Sequence, residues 1–265
     1  MLSFPSVKIN LGLYITERRA DNYHTISSCF YPVPWNDVLE VVPSEQFEFI
    51  QTGLDIPGKK EDNLCVKAYH LLQSKYNFNP ASVHLHKIIP MGAGLGGGSS
   101  DAAFTLKALN TLFKLGLSLP QLEEYAAQLG SDCAFFIQNR PVLAGGRGEI
   151  MEEVPLDLTG NHLYIVCPPI HISTAEAYKG VRPKAFQEDY RALLYHPASW
   201  KASLHNQFED TLFPLYPQLH EIKQDLYDKG AWYATMSGSG SSIIGLFTHE
   251  IEHPDFTFPF FHVTL

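Results

Sequence analysis

Residues 90–103 read PMGAGLGGGSSDAA, with five glycines and two serines between an apolar stretch and the start of a helical pattern. Glycine at that density costs folding entropy, so the backbone must gain something there, and the strongest gain on offer is close approach of N–H groups to an anion. A strand, a glycine loop and a helix N-terminus together make a phosphate site, because the first-turn N–H groups are unpaired and the helix dipole favours negative charge. Pro90, Met91, Gly92, Ala93, Gly94, Leu95, Gly96, Gly97, Gly98, Ser99 and Ser100 are therefore the expected nucleotide contacts. Asp101, in the first turn behind them, is counted with these contacts and reads as a cap or dipole partner of the helix. Lys87, three residues before Pro90, is expected to lie along the nucleotide.

Two common phosphate motifs fail on this stretch. Gly92 to Gly97 satisfies G-x-G-x-x-G, but a dinucleotide site also wants an acidic residue about 20 positions on, at the end of a second strand. KLGLSLPQ stands there instead, between two helical patterns. A Walker-type loop ends in G-K-[ST], and Gly98-Ser99-Ser100 lacks that lysine.

Phosphoryl transfer also needs charge neutralisation and a group to steer the acceptor's proton. GSDCAFF supplies a carboxylate at Asp132, just after the helix-ending Gly130, and KINLGL supplies a cation at Lys8. Read alone, Asp132 is an N-cap for a short helix and Lys8 a solvated lysine on a strand's polar face.

The elements that must carry these residues are legible as patterns. Val7, Ile9, Leu11, Leu13 and Ile15 alternate, which predicts a strand with one buried face and places Lys8, Asn10 and Gly12 on the other. A turn at ERRADNYH follows, with Asn22 as a turn residue, then short strands at VLEVV and FEFI, a helix near 63–75 and a strand at SVHLHKII. SSDAAFTLKALNTLF predicts an amphipathic helix capped by Ser99 or Ser100, and a second helix runs from a Ser118 cap, with Pro120 in its first turn, to Gly130. Polar turn residues at 155–161 suggest a boundary between domains at 1–155 and 156–265. The second half shows fewer clear helices, a Gly/Ser segment at MSGSGSS and strands at HLYIVCPP and SIIGLF. Mixed elements without steady βαβ alternation indicate an α+β fold.

Composition limits the function classes. The net charge of −9 gives no global support to a nucleic-acid or anionic-membrane surface, so any anion site must be built locally. Four separated cysteines without a C-x-x-C pair read as buried or half-buried free thiols in a reducing cytosol. With no basic leader and no long apolar run, a cytoplasmic protein is expected.

Taken together, Pro90, Gly94-Leu95-Gly96, Gly98-Ser99-Ser100 and Ala102-Ala103 resemble the phosphate loop of the GHMP kinases. KINLGL, RRADNYH, GSDCAFF and TAEAY follow in the order of those members that phosphorylate a cytidine-diphosphate alcohol. The resemblance implies a two-domain GHMP kinase-like α+β fold, ATP with Mg2+, and the 2-hydroxyl of a cytidine-diphosphate-linked methylerythritol as acceptor in non-mevalonate isoprenoid precursor synthesis. It makes Lys8 and Asp132 the catalytic pair, with Lys8 keeping the carboxylate ionised. It assigns substrate contacts to Asn10, to Tyr23 and His24 as the cytidine-reading turn, to Tyr178 on the other side of the base, and to Ser237, Gly238, Ser239 and Gly240 in a supporting glycine loop. A monomer or homodimer is implied. A kinase for homoserine or a mevalonate-type alcohol would have no use for the base-reading aromatics, and a non-catalytic sensor of this fold would lose the carboxylate.

Overall fold

The computed structural model describes residues 1–184 and 189–265. They form two compact units, each assembled from separated stretches: Met1–Val7, Trp35–Met91 and Gly96–Arg140 in the first, and Lys8–Pro34, Gly92–Leu95 and Pro141–Leu265 in the second. This division differs from a single cut at 155–161, which falls inside the second unit. Sheet pairing explains the difference, since the strand His24–Asn36 takes Val142–Gly145 as its partner more than a hundred residues away.

The first unit has a four-stranded sheet in the order Leu2–Ser3, Val38–Pro43, Ala81–Lys87, Glu48–Gly53. Its last two strands are parallel, so the chain must cross over between them, and the helix Leu64–Gln73 lies in that crossover. Along Ala81–Lys87, burial alternates, and Ala81, Val83, Leu85 and Lys87 share the core face. The helix Gly97–Leu112 packs on Val38–Pro43 and on Leu64–Gln73. It begins earlier than expected, with Gly96 rather than a serine at the cap position, because Gly96 takes a left-handed φ of 72° that a serine would resist. The helix Leu119–Leu129 starts in a capping box of Ser118 and Gln121.

The second unit holds two sheets. One runs Ser6–Arg18, His24–Asn36, Val142–Gly145, Ile150–Glu153. The other is antiparallel throughout, in the order Tyr233–Met236, Ile243–Phe247, His162–Val166, Phe260–Thr264. Both faces of the first strand are buried from Ser6 to Leu13, so Lys8 and Asn10 do not face water as a half-buried strand would have them. Helices in this half are more numerous than the pattern suggested: Thr174–Lys179, Tyr190–Leu194, Trp200–Ser203, Glu209–Leu215 and Pro217–Asp228. Most are too short to show a 3.6-residue period, and Pro214 and Pro217 interrupt the longest run. The C-terminal segment, which carries no motif, adds an edge strand beside His162–Val166.

Candidate active site

In the first unit, the glycine loop rises from a buried ion triplet. The Lys87 Nζ donates to Asp37 Oδ2 at 2.5 Å and to Asp101 Oδ2 at 2.8 Å, and all three side chains are almost completely buried. Asp37 Oδ1 also accepts the N–H of Ile88 at 2.6 Å and of Ile89 at 2.9 Å. Burial alone would lower the Lys87 pKa, but the carboxylates of Asp101 and Asp37 override it and leave it raised. Burial pushes the Asp101 carboxyl up to about 7, against the pull of Lys87. Lys87 is thus a support beneath the loop and not a side chain lying along a surface groove. Asp101 is the fifth residue of its helix and pairs with Lys87, so it is not a cap.

Above the triplet, a cavity of about 450 Å³ is lined by Phe49, Ile56, Pro57, Lys60, Asn63, Leu64, Met91, Gly98 and Asp101 among others. A Cβ built on Gly98 would meet only the tip of Met91, so this backbone is open to a ligand. Ser100 Oγ and Asp101 Oδ1 are buried without a hydrogen-bond partner among the described residues, at the start of the helix that the loop feeds. Uncompensated buried oxygens are rare in native proteins, and a bound polar group would satisfy them. These features fit a nucleotide and its phosphates. Among the described residues there is no group of three metal-ligating side chains.

Asp132 lies in the turn between helices Leu119–Leu129 and Phe135–Gln138, where Ser131 Oγ donates to its Oδ1 at 3.3 Å. It caps neither helix, since Ala134 holds the cap position of the second. Cys133 beside it is buried, and burial pushes its thiol up to about 11. The remaining cysteines are also free thiols, Cys29 and Cys65 buried and Cys167 half-buried.

Lys8 belongs to the second unit and Asp132 to the first. Within its unit, the Lys8 Nζ donates to Asn10 Oδ1 at 2.5 Å and sits 4.5 Å from the centre of the Phe30 ring. Asn10 Nδ2 donates to Ser28 Oγ, and Asn10 N–H donates to Ser237 Oγ. The tip of the glycine loop joins this network: Lys8 N–H donates to Leu95 O, Ser237 Oγ to Gly94 O, and Ser242 N–H to Ala93 O. Gly94 is obligatory there, because φ is +77° and a Cβ would fall 2.0 Å from the Ser237 carbonyl oxygen. Asn206 holds the MSGSGSS segment from behind through Met236 O and Gly238 O. Ser239 reaches Thr174 Oγ1 at 3.4 Å.

The aromatic residues of the same unit also converge. His24 and Tyr178 stack with ring centres 4.7 Å apart and planes at 15°, and Phe208 meets Tyr178 edge-on. Burial and the nearby Arg18 charge lower the His24 pKa, which favours neutral imidazole. Tyr23 is 57% exposed, and the Arg147 guanidinium lies over its ring at 5.0 Å. Asn22 carries the turn with a φ of 66°. The expectation of rings on two sides of a base thus meets a structure in which His24 and Tyr178 contact each other.

A profile of the GHMP kinases N terminal domain matches residues 63–140, and one of the GHMP kinases C terminal domain matches residues 192–253. A relative from Cytophaga hutchinsonii, named 4-diphosphocytidyl-2-C-methyl-D-erythritol kinase, is 48% identical over 95% of this chain and 94% of its own. One of the same name from Bacteroides thetaiotaomicron is 50% identical over 96% and 95%. A crystal structure of a 4-(cytidine 5'-diphospho)-2C-methyl-D-erythritol kinase superposes with a TM-score of 0.79 at 32% identity, covering 93% of this chain and 90% of that one. The chain belongs to the GHMP kinase family. Its fold extends to a Methanococcus jannaschii mevalonate kinase, with a TM-score of 0.69 at 14% identity.

For a GHMP kinase, several residues here escape sequence reasoning. Asp37 stands in DVLE with nothing to mark it, Asn206 and Arg147 lie in unremarkable stretches, and the cavity walls Phe49, Ile56 and Leu64 look like ordinary core. Only Lys87 had a readable signal, since its alternation with Val83 and Leu85 predicts burial. Among the described residues, no helix is long and apolar enough to cross a membrane.

Proposed function

We propose that this kinase transfers a phosphoryl group from ATP to the 2-hydroxyl of 4-diphosphocytidyl-2-C-methyl-D-erythritol, releasing the 2-phosphate and ADP. The observation that carries this reading is the stacked pair of His24 and Tyr178, with the exposed Tyr23 next to His24 in the chain, in a protein about half identical to kinases of that name. Ring faces suit a nucleobase, since stacking is worth about 1–3 kcal/mol per base. A neutral His24 retains both a donor and an acceptor for the cytosine edge. Opening the His24–Tyr178 contact would free Tyr178 to face the base on the side opposite Tyr23 while His24 meets its edge.

ATP supplies the phosphoryl group, with magnesium shielding its charge. Gly96–Ser100 would hold the phosphates through backbone N–H groups and the Ser100 hydroxyl, and the cavity beside Asn63 and Leu64 would take the nucleoside. Asp132 accepts the proton of the acceptor hydroxyl, whose oxygen forms the new bond to phosphorus as the bond to the leaving ADP oxygen breaks. Lys8, oriented by Asn10, stabilises the charge that develops, and the Ser237–Gly240 segment supports the loop tip. We place the enzyme in the cytoplasm as a monomer or homodimer, acting on small molecules and not on nucleic acid or membrane.

ADP release would be measured with magnesium-ATP and, in turn, the cytidyl-methylerythritol substrate, homoserine and mevalonate, for wild type and Asp132→Asn. Turnover confined to the cytidyl substrate, and reduced roughly 10²–10⁴-fold in the variant, is the expected outcome. Preference for another alcohol would remove the role given to Tyr23, His24 and Tyr178.

A further inference from the structure

The glycine loop is flexible by composition, yet a phosphate site needs its N–H groups fixed. Both ends of the loop run into the same buried charges. On the strand side, Asp37 Oδ1 receives the N–H groups of Ile88 and Ile89, the two residues before Pro90. On the helix side, Asp101 Oδ2 receives the Lys87 ammonium, and that same ammonium is bound by Asp37 Oδ2. Lys87 Nζ lies directly under the helix start, 3.0 Å from where a Gly97 Cβ would stand. One lysine therefore links the strand that enters the loop to the helix that leaves it, and Asp37, from a third element, orients both the lysine and the entering backbone.

Three buried ionisable groups are an expensive way to secure a fold, since apolar residues of similar volume often serve as well or better. Charged groups do offer directional, short-range positioning, which apolar packing does not. We infer that Asp37 is a positioning residue for nucleotide binding, acting through Lys87 and the Ile88–Ile89 amides to set the separation of the two ends of the phosphate loop. This rests on the loop's reading as the ATP-phosphate site. It predicts that Asp37 controls affinity for ATP and leaves affinity for the cytidyl substrate alone. Asp101 completes the link: it is among the residues that line the cavity, and its second oxygen is buried without a partner among the described residues.

The test is equilibrium binding by calorimetry on the full chain, with magnesium and a non-hydrolysable ATP analogue in one series and the cytidyl-methylerythritol substrate in the other. Asp37→Asn keeps an oxygen for the Ile88 and Ile89 amides but loses the charge that orients Lys87. Its Kd for the ATP analogue should rise roughly 10- to 100-fold, the range typical when the partner behind a ligand-holding group is lost, while the cytidyl Kd stays at the wild-type value. Asp37→Glu, which restores the charge, should recover part of the loss. Asp101→Asn tests the same link from the helix side, leaves one Asp–Lys pair intact to preserve folding, and should shift the same Kd in the same direction. An unchanged ATP-analogue Kd in both Asp37→Asn and Asp101→Asn, or equal rises for both ligands, would overturn the inference by reducing the triplet to a fold element. Failure of wild type itself to bind the ATP analogue would instead overturn the assignment of the loop, and with it the role of Asp37.

Discussion

In the first unit, the glycine loop springs from a strand and a helix joined by three ionisable side chains that water does not reach. In the second, the turn proposed to read cytosine displays Tyr23 with 57% of its surface exposed, and His24 beside it stacks on Tyr178. Each form of support suits the ligand proposed for it. Phosphate is bound by backbone N–H groups, whose direction matters and whose loop is entropically costly to hold, so the ends of that loop are fixed by short ionic contacts. A base is bound through its π-face, which tolerates sliding and tilt, so rings on a surface turn suffice.

If this contrast is right, damage to the first region should appear mainly in stability and ATP binding, and damage to the second mainly in substrate affinity. The largest effect is expected from Lys87→Met, which leaves Asp37 and Asp101 buried without their cation. Urea denaturation should show a loss of about 3–5 kcal/mol, and a loss below about 1 kcal/mol would mean the triplet does not anchor the unit.

Tyr178→Ala should behave in the opposite way. Losing one stacking surface is worth about 1–3 kcal/mol, so KM for the cytidyl substrate should rise roughly 10- to 100-fold with KM for ATP unchanged. A comparable rise in both KM values would erase the distinction between the regions.

Asp101 adds a pH signature confined to the first region. Its folded pKa of about 7 stands above the ordinary carboxyl value of about 3.8, so the folded state holds a proton that the unfolded chain releases between those pH values. The stability this proton contributes is complete below about pH 4 and is lost as pH rises through about 7. Thermal melts should therefore show wild type losing a few degrees relative to Asp101→Asn between pH 5 and pH 8. Parallel curves for the two proteins would show that Asp101 is ionised throughout.

The smallest effect is expected from Arg147→Ala. A cation over an exposed ring is worth about 0.5–1 kcal/mol, so KM for the cytidyl substrate should rise roughly two- to fivefold, with melting temperature unaltered. A larger change would show that Arg147 contacts the substrate directly.

Much of this architecture was legible residue by residue. The glycine loop, the Ser118 capping box, the left-handed Asn22 and the strands at VLEVV, FEFI, SVHLHKII and SIIGLF are all local features, set by backbone preferences and short-period patterns. The pairing of His24–Asn36 with Val142–Gly145, the helices around Pro214 and Pro217, and the edge strand Phe260–Thr264 were not legible, because each depends on partners remote in the chain or on runs too short to be periodic. The site divides in the same way. Lys8, Asn10, Asp132, Tyr23, His24 and Tyr178 could be singled out because their types stood in a recognisable order, whereas Asp37 and Asn206 act through contacts that no neighbouring residue announces.

By itself, then, the amino-acid order determined where glycine frees the backbone, which residues carry charge and aromatic faces, and the family to which the chain belongs. Only tertiary structure decided that Lys87 meets Asp37 and Asp101, that Gly94 must stay bare against the Ser237 carbonyl, and that His24 rests on Tyr178. The physical reason is range. Turn geometry, capping and periodicity are settled within a few residues, but the burial of a charge and the partner that makes it tolerable are properties of the packed interior, where distant segments meet.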